Sequence, residues 1–412
     1  MRKHLLIIGF VWPEPKSSAA GSRMMQLIEA LQSQNYNITF ASPCAKSNNA
    51  FNLESIGVAQ TSIQLNHTSF DDFVAELNPS VVLFDRFMME EQFGWRVAEQ
   101  CPNALRILDT EDLHGLRKGR LQAFKDSKPF DKAYLFNDTA KREIASIYRC
   151  DLSLIISEAE MEILQHDFNV DRSLLVYLPF MIDPISENEI VNLLEFKDRN
   201  HFITIGNFLH EPNYNAVIYL KETIWPLIRK QLPKAELHIY GAYVSQKANQ
   251  LHNEKQGFFV KGFAEDVNDV MQKAKVCLAP IRFGAGLKGK LVDAMKNGVP
   301  CVTTAVGAEG MYGDLEINGF EENTPELFAN KAIELYKDET LWNLKQQKGF
   351  DVINKRFNKK VHQNTFTSTI NDISKDLKSH RFHNFTGQML QHQSMQSTKF
   401  MSKWIAEKNK NE

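Results

Sequence analysis

The chain has 412 residues, of which 43% are hydrophobic, and its formal net charge is −2. This length and composition predict a globular protein of two to three domains with sizeable cores. A nearly neutral charge argues against wholesale nucleic-acid binding, which needs a basic face. The five cysteines are scattered without a CxxC pair, so neither a zinc site nor a disulfide framework is indicated. No window approaches about 20 uninterrupted apolar residues, so we predict no transmembrane helix.

The first half of the chain alternates short apolar runs with helix-like stretches. The run Leu5–Trp12 follows basic residues but leads into Pro13 instead of a small-residue cleavage site, which favours a buried strand over a signal peptide. We therefore expect a cytoplasmic protein. The predicted strands of this half are Leu5–Phe10, Ile38–Ser42, Gly57–Leu65, Val81–Phe84, Arg106–Leu108, Leu152–Ser157 and Leu174–Leu178.

A glycine-containing loop joins the first strand to the first predicted helix, Arg23–Gln34, for which Ser22 is the expected cap. Strand, glycine loop and helix open a Rossmann-like domain, although the sequence here is not GxGxxG. Gly21 would let a phosphate or an acceptor approach the backbone. Arg23, in the first helical turn, would contact a phosphate, and a plain surface position is an equally good interpretation.

A polar loop, Asp109 to His114, follows the predicted strand Arg106–Leu108. Its ionisable groups cluster just past a buried strand, where ligands of α/β proteins bind. His114 is the candidate functional residue, and a helix-capping turn with an exposed His114 is the alternative. A metal site is disfavoured because acids on one short loop point in different directions.

Pro179 and Pro184 punctuate the chain near its middle and predict a domain boundary there. Strands then alternate with helices again, and each strand ends at or near a glycine, which predicts a parallel, doubly wound sheet. The predicted strands are Phe202–Ile205, Leu237–Tyr240, Phe258–Val260, Val276–Pro280 and Cys301–Thr304.

The stretch from Ala279 to Met311 is the strongest candidate for a ligand site. Gly284 and Gly286 let the backbone approach a ligand. The helix that follows offers unpaired N–H groups and the positive end of its dipole. Arg282 and Lys288 add two full positive charges, so the stretch suits a diphosphate. The alternative is a glycine-rich turn with solvated basic residues.

This stretch resembles the donor-binding segment of the family-four glycosyltransferases, which are retaining sugar-nucleotide enzymes of GT-B fold. The resemblance is specific because many elements keep their order and spacing over about residues 200 to 312, and it is weak in the N-terminal half. Those elements are Gly284-Ala285-Gly286, Lys288, Lys290, Asp293, Ala294-Met295, Gly298-Val299-Pro300, Thr303-Thr304 and Gly307 to Gly310. The paired-glutamate motif of the family departs here, because Asp293 is the later acid and the loop lacks the earlier one.

The resemblance implies an α/β protein of GT-B architecture. Two Rossmann-like, doubly wound parallel-sheet domains would face a cleft, followed by a C-terminal helical extension. The expected domains are residues 1–183 on the acceptor side, 184–360 on the nucleotide-sugar donor side, and 361–412 as helices that cross back to the first domain.

The resemblance also implies roles for individual residues. Arg282 and Lys288 would stabilise the departing diphosphate, His114 would hold a sugar hydroxyl, and Glu309 would contact donor hydroxyls or orient Lys288. The implied donor-binding residues are Gly206, Asn207, Phe263, Gly284, Ala285, Gly286, Asp293, Gly21 and Arg23. Among them Phe263 would lie beside the base, with core packing as its alternative, and Asp293 would bind the ribose. Backbone amides of the glycine loop would replace the missing glutamate.

The implied function is transfer of a sugar from a nucleotide diphospho-sugar to an acceptor hydroxyl on a glycan, lipid-linked or small-molecule acceptor. The reaction would be retaining and would need neither metal nor cofactor, in a setting such as surface polysaccharide or glycoconjugate synthesis. One alternative is another GT-B activity, such as sugar-nucleotide epimerisation or an inverting transfer with a base between Asp109 and His114. The other is a catalytically silent binding or scaffold subunit.

Residues 379–412 extend beyond the helices that the resemblance explains. Phe400, Met401, Trp404 and Ile405 share one helical face. Packing against the N-terminal domain is the simplest interpretation. A protein partner or a peripheral membrane contact is the alternative, although no contiguous polybasic block marks a membrane-binding segment.

Overall fold

The computed structural model describes residues 3–410, without the side chains of residues 393–396. Within that part of the chain, two parallel sheets form, one of seven strands and one of six. The strands of the first are β1 (His4–Ile8), β2 (Asn37–Ser42), β3 (Ala59–Ser62), β4 (Val81–Asp85), β5 (Leu105–Asp109), β6 (Leu152–Ile155) and β7 (Leu175–Tyr177). The strands of the second are β8 (His201–Ile205), β9 (Leu237–Tyr240), β10 (Phe258–Gly262), β11 (Ala274–Ala279), β12 (Cys301–Thr303) and β13 (Gly319–Glu321).

The strand order of each sheet reverses near its middle. The first sheet runs β3-β2-β1-β4-β5-β6-β7 and the second runs β10-β9-β8-β11-β12-β13. The order reverses between β1 and β4 in the first domain, and between β8 and β11 in the second. Ligands of doubly wound sheets bind outside the carboxyl ends of the strands at such reversal points. The predicted fold of two doubly wound parallel-sheet domains is confirmed.

Helices cover both faces of both sheets. Those of the first domain are α1 (Ala19–Gln32), α2 (Ser69–Leu77), α3 (Phe87–Gln100), α4 (His114–Lys125), α5 (Lys132–Leu135), α6 (Asp138–Arg149) and α7 (Glu158–Glu162). After α8 (Glu187–Val191), the second domain contains α9 (Glu211–Tyr219), α10 (Trp225–Gln231), α11 (Gln246–Asn249), α12 (Val267–Gln272), α13 (Gly289–Lys296), α14 (Ala305–Ala308) and α15 (Pro325–Lys337). The chain ends in α16 (Glu339–Arg356), α17 (Lys359–Lys375), α18 (Leu377–His383) and α19 (Phe385–Asn409).

The central strands are mostly apolar because helices pack on both of their sides. Every residue of β4 and of β11 is buried. Each sheet therefore separates two hydrophobic clusters.

The C-terminal helices return to the first domain. Phe366 and Ile370 of α17 are buried in the same cluster as Leu27 and Leu31 of α1. Lys359 at the start of α17 forms an ion pair with Glu29 of α1. The domain bounds expected from the sequence stay a prediction, as does the cellular compartment. In the described residues, no helix has the length and apolarity needed to span a bilayer.

One local prediction was wrong, and one strand was not predicted. The first helix begins at Ala19 instead of Arg23, because Ser18, not Ser22, caps it by accepting a hydrogen bond from the Gly21 N–H. The strand β13 escaped prediction because only three residues, Gly319–Glu321, pair at the edge of the second sheet. So short a run has no readable periodicity.

Candidate active site

The glycine loop after β11 and the N-terminus of α13 form the centre of the candidate site. The loop adjoins the first domain, because the Cα of Gly286 faces Asp112. Gly286 has a φ of +64°, and a Cβ there would lie 2.8 Å from Asp112 Cβ. The adjacent Ala285 is buried in the hydrophobic cluster of the first domain. Only glycine satisfies both the backbone conformation and the close approach at position 286.

Lys288 lies at the N-terminus of α13 and binds the glycine loop. Its Nζ donates to the Gly286 carbonyl at 2.6 Å and to the Ala285 carbonyl at 3.2 Å. Burial lowers the pKa of Lys288 to about 8, although nearby Glu309 opposes the shift. The ammonium form therefore predominates at neutral pH, and its two hydrogen bonds go to neutral oxygens.

Lys290 places a second ammonium group in the first turn of α13. The side chain is buried, and its Nζ donates to Asn213 Oδ1 at 2.9 Å. Burial lowers the pKa of Lys290 to about 8, and nearby Lys288 contributes to that lowering. Asn213 in turn donates to the Asn207 carbonyl at 3.1 Å, and a Cβ on Gly206 would lie 2.6 Å from Asn213 Nδ2. The Gly206-Asn207 turn at the end of β8 is thus connected to α13.

The structure holds Arg282 apart from these lysines, against two aromatic rings. Its guanidinium lies 4.3 Å from the Tyr219 ring centroid and 4.7 Å from that of Phe124, which belongs to α4 of the first domain. Its Nε donates to Asn215 Oδ1 at 2.8 Å. The planar group is therefore fixed in orientation before any ligand binds.

Glu309 pairs with an arginine from the opposite domain. Arg120 of α4 donates to both of its carboxylate oxygens, at 2.6 and 2.7 Å, and to the Gly284 carbonyl at 2.9 Å. Burial by itself would raise the pKa of Glu309, but the bonds and charge of Arg120 bring it below the ordinary value. This ion pair joins the two loops of the second domain to the first domain.

His114 begins α4 on the facing side of the cleft. Its Nε2 lies 3.4 Å from Asp112 Oδ1, and its ring stands edge-on to Phe87 at 5.5 Å. Burial lowers the pKa of His114 to about 4, more than Asp112 raises it. The imidazole is neutral at physiological pH and can exchange hydrogen bonds with a hydroxyl.

The acids of the loop before His114 have separate partners. Asp109 is fully buried in an ion pair with Arg23, and Asp112 receives two hydrogen bonds from Arg117. Glu111 has a φ of +61°, and burial together with Asp109 raises its pKa well above the usual value. In the part of the chain that the structure describes, no three His, Cys, Asp or Glu side chains are grouped as metal ligands. Metal independence stays a prediction.

Two predicted donor contacts are contradicted by the structure. Arg23 is fully buried, and its guanidinium bonds to Asp109 and to the carbonyls of Leu178 and Pro179, so it cannot reach a phosphate. Gly21 is also buried, and a Cβ there would lie 2.3 Å from the Glu14 carbonyl. The backbone that approaches Gly21 is therefore the protein's own loop.

Two further predicted contacts lie at the same edge of the second sheet. Phe263 directly follows Gly262 at the end of β10 and is partly buried. Asp293 lies one turn into α13, where burial raises its pKa to about 6 against the influence of Lys296. Their roles beside the base and the ribose stay predictions.

Sequence reasoning assigned no role to Glu160, which bridges the two domains. Its Oε1 accepts the N–H of Leu113, at 3.0 Å, and that of Gly286, at 2.8 Å. The side chain is fully buried, its Oε2 has no hydrogen-bond partner, and burial raises its pKa to about 7. The available signal was an acid just past β6, another strand that ends at the cleft.

Comparison with known families gives one match, which lies in the second domain. Residues 199–338 match the family model described as glycosyl transferases group 1. The matched span contains β8, the glycine loop, α13 and Glu309. No curated protein sequence gives a significant match. The second domain is therefore similar to the glycosyl transferases group 1 family over these residues.

Solved structures share the whole architecture. Sucrose-phosphate synthase from Thermosynechococcus elongatus superimposes with a TM-score of 0.66 at 15% identity, over 90% of this chain and 99% of that chain. Anabaena Alr3699/HepE in complex with UDP and glucose gives 0.66 at 12% identity, over 89% and 99%. The S. aureus TarM G117R mutant, in complex with Fondaparinux, alpha-GlcNAc-glycerol and UDP, gives 0.56 at 14% identity over 73% of this chain, which spans 58% of that chain. The protein therefore shares the GT-B fold of these structures, and its residues 199–338 are similar to the glycosyl transferases group 1 family.

Proposed function

We propose that the protein transfers a sugar from a nucleotide diphospho-sugar to an acceptor hydroxyl, with retention of anomeric configuration and without a metal ion. The nucleotide and diphosphate bind against the second domain, at the reversal point between β8 and β11. The acceptor, a glycan, a lipid-linked molecule or a small molecule, binds against the first domain. Synthesis of a surface polysaccharide or another glycoconjugate is the setting we infer.

One observation carries this proposal: two ammonium groups, the partly buried Lys288 and the buried Lys290, lie at the N-terminus of α13. Lys288 and Lys290 donate hydrogen bonds to carbonyl and amide oxygens. Buried charges are costly unless they are paired. A diphosphate would supply the missing negative charge and would also accept from free N–H groups of the helix terminus. In the reaction, the same groups stabilise the charge that grows on the departing nucleoside diphosphate.

The state of the ionisable groups on the facing loop favours retention over inversion. An inverting transfer needs a general base beside the acceptor hydroxyl. Asp109 is consumed by its ion pair with Arg23, and the raised pKa of Glu111 favours its protonated form. His114, with a pKa of about 4, is a weak base but a good hydrogen-bond partner for a sugar hydroxyl. In retention the donor's own phosphate oxygen can accept the acceptor proton.

The first donors to test are UDP-sugars, because the HepE and TarM complexes contain UDP. We expect UDP release that depends on an acceptor or on water and continues in EDTA. Proton NMR of the product should show the anomeric configuration of the donor. An inverted product would contradict the retaining mechanism, and an activity restored only by a divalent cation would contradict metal independence.

A catalytically silent binding subunit is the second candidate. Ala285 occupies the loop where the family places the earlier acid, and its side chain packs into the first domain. A protein that binds a nucleotide sugar without releasing nucleotide in the presence of many acceptors would favour this candidate. Conversion of the sugar of the nucleotide sugar into its epimer would instead indicate a sugar-nucleotide epimerase.

A further inference from the structure

The long C-terminal helix α19 has two faces of different character. One face packs on the first domain: Gly387 is buried with its Cα against the Tyr148 carbonyl, and Gln391 Nε2 donates to the Arg149 carbonyl at 2.8 Å. Ser402 and Ala406 continue this buried face. The sequence interpretation that the face with Phe400, Met401 and Trp404 packs on the first domain was wrong, because these side chains are exposed and small and polar residues make the contact instead.

The opposite face of α19 presents large apolar side chains to solvent. At 100° per residue, its members lie within about a 100° sector of the helix. We call this set the outer stripe, and it comprises Phe385, Met389, Phe400 and Trp404, which are 74%, 47%, 65% and 63% exposed. Phe382 of α18, 76% exposed, lies just before it. The outer stripe consists of two exposed apolar groups, Phe385 with Met389 near the start of α19 and Phe400 with Trp404 near its end, and exposed apolar groups of this kind mark an interaction site.

Positive charge is concentrated in the same segment. Residues 378–412 contain six Lys or Arg residues and two Glu residues, a net charge of +4, whereas the whole chain has −2. Lys403, Lys408 and Lys410 are exposed near the Trp404 end of the helix. These lysines are spread along the segment, which is why no contiguous basic block is visible in the sequence.

We propose that the outer stripe docks the protein on an anionic lipid surface. A helix that lies in a membrane interface combines a face of Trp, Phe and other apolar residues with flanking lysines. Each such lysine is attracted by the negative charge of an anionic lipid surface. A second copy of this chain fits the stripe less well, because the exposed Lys403 and Lys408 of the two copies would lie close to one another.

The protein contains its own reporter for this docking. Of its five tryptophans, Trp12, Trp95, Trp225 and Trp342 are at most 5% exposed, whereas Trp404 is 63% exposed. Fluorescence quenching by acrylamide therefore reports mainly on Trp404. We expect vesicles of phosphatidylcholine with about a third phosphatidylglycerol to shift the emission to the blue and to protect it from acrylamide.

Co-sedimentation with the same vesicles measures the affinity of the protein for the membrane. Variants then separate the contributions of the apolar side chains and of the lysines. The double variant Phe400→Ser/Trp404→Ser should partition at least tenfold more weakly, and Lys403→Glu/Lys408→Glu should lose binding to anionic vesicles. The control is Leu344→Ser, which changes an apolar side chain that is 51% exposed on α16, outside the stripe. It should bind as the wild type does, and binding should weaken at high salt.

Several results would overturn the proposal. They are absence of binding to anionic vesicles, equal binding to pure phosphatidylcholine, and unchanged binding of the Phe400→Ser/Trp404→Ser variant. A dimer in solution that this variant abolishes would identify a second copy as the occupant instead. Nucleotide-sugar binding by the same variant is a separate measurement, so failure of the docking proposal can be distinguished from failure of the proposed transferase function.

Discussion

At the scale of single residues, the candidate site is dominated by buried cations whose hydrogen bonds go to neutral atoms. Lys288 bonds to carbonyls of its own loop, and Lys290 bonds to the Asn213 side chain. Burial lowers the pKa of both lysines to about 8. A binding site that is electrostatically unfavourable when empty and favourable with an anion present is the arrangement expected for a diphosphate.

The variant Lys290→Met keeps the aliphatic bulk of the side chain and removes its charge. Without the ammonium group, affinity for a nucleoside diphosphate should fall at least tenfold, or about 1.4 kcal/mol. The melting temperature of the ligand-free protein should stay equal or rise, because a costly buried charge is gone. Calorimetric titration with UDP measures the first effect. Lys296→Met, an exposed change at the other end of α13, is the control, and equal losses in both variants would refute the assignment.

The lowered pKa of these lysines predicts a pH dependence of donor binding. Below pH 8 the ammonium forms predominate in the free protein, and above it each loses its charge. The dissociation constant for UDP should therefore rise above pH 8, by up to about tenfold per pH unit for one required proton. Titrations from about pH 6.5 to about pH 9.5 span the transition and would measure this rise. A flat profile would mean that neither ammonium contacts the ligand.

At the scale of elements, Glu160 couples the loop before α4 to the glycine loop before α13. One carboxylate oxygen accepts the N–H groups of Leu113 and Gly286, which belong to different domains. Glu160 is a positioning residue, because it fixes the loops that carry His114 and Lys288. The Arg120–Glu309 ion pair makes a second connection of the same kind.

The variant Glu160→Gln should change how stability depends on pH. The folded pKa of Glu160, about 7, is raised above the ordinary 4.5, so its contribution to stability is complete below pH 4.5 and is lost as pH rises through 7. The amide does not titrate but can still accept both N–H groups. From about pH 5 to about pH 8 the variant should therefore become increasingly more stable than the wild type, by up to about 3 kcal/mol of unfolding free energy. Melting temperatures measured across this range would show the trend. Glu162→Gln, exposed on the same helix, should show no such trend. A pH-independent difference would contradict the titration of Glu160.

At the scale of the whole molecule, the last helices make the first domain complete. α17 buries Phe366 and Ile370 against α1, more than 300 residues away in sequence. This packing fixes one end of the second domain to the first, while Glu160 and Arg120 connect the cleft side. The two halves of the site are thus held in register by contacts on both sides of the cleft.

The variant Phe366→Ala tests this connection. Phe366 is fully buried in the folded protein, so its truncation to alanine should lower the free energy of unfolding by about 3–5 kcal/mol. Phe382→Ala, at a side chain that is 76% exposed, should change stability by less than about 0.5 kcal/mol. Urea unfolding followed by circular dichroism compares them. Equal effects would show that α17 does not stabilise the first domain.

Local pattern was enough to predict the two doubly wound sheets, since most strands from β1 to β12 are short apolar runs between turn signals. The glycine loop and its lysines were visible because glycines, cations and a helix start are adjacent in sequence. Arg23 and Glu160 were misjudged or missed because their partners, Asp109 and Gly286, lie 86 and 126 residues away. Burial at such long-range contacts depends on tertiary packing, which local spacing does not encode.

The most direct test of the central claim is thermal stability against UDP-, GDP-, ADP- and CMP-linked sugars, measured for the wild type, Lys288→Ala and the control Lys296→Ala. A ligand that binds only the folded protein stabilises it by about 2.7 kcal/mol at a hundredfold excess over Kd. We predict a shift with one nucleotide class, kept in Lys296→Ala and lost in Lys288→Ala. No shift with any donor, or an undiminished shift in Lys288→Ala, would contradict a nucleotide-sugar site at the N-terminus of α13.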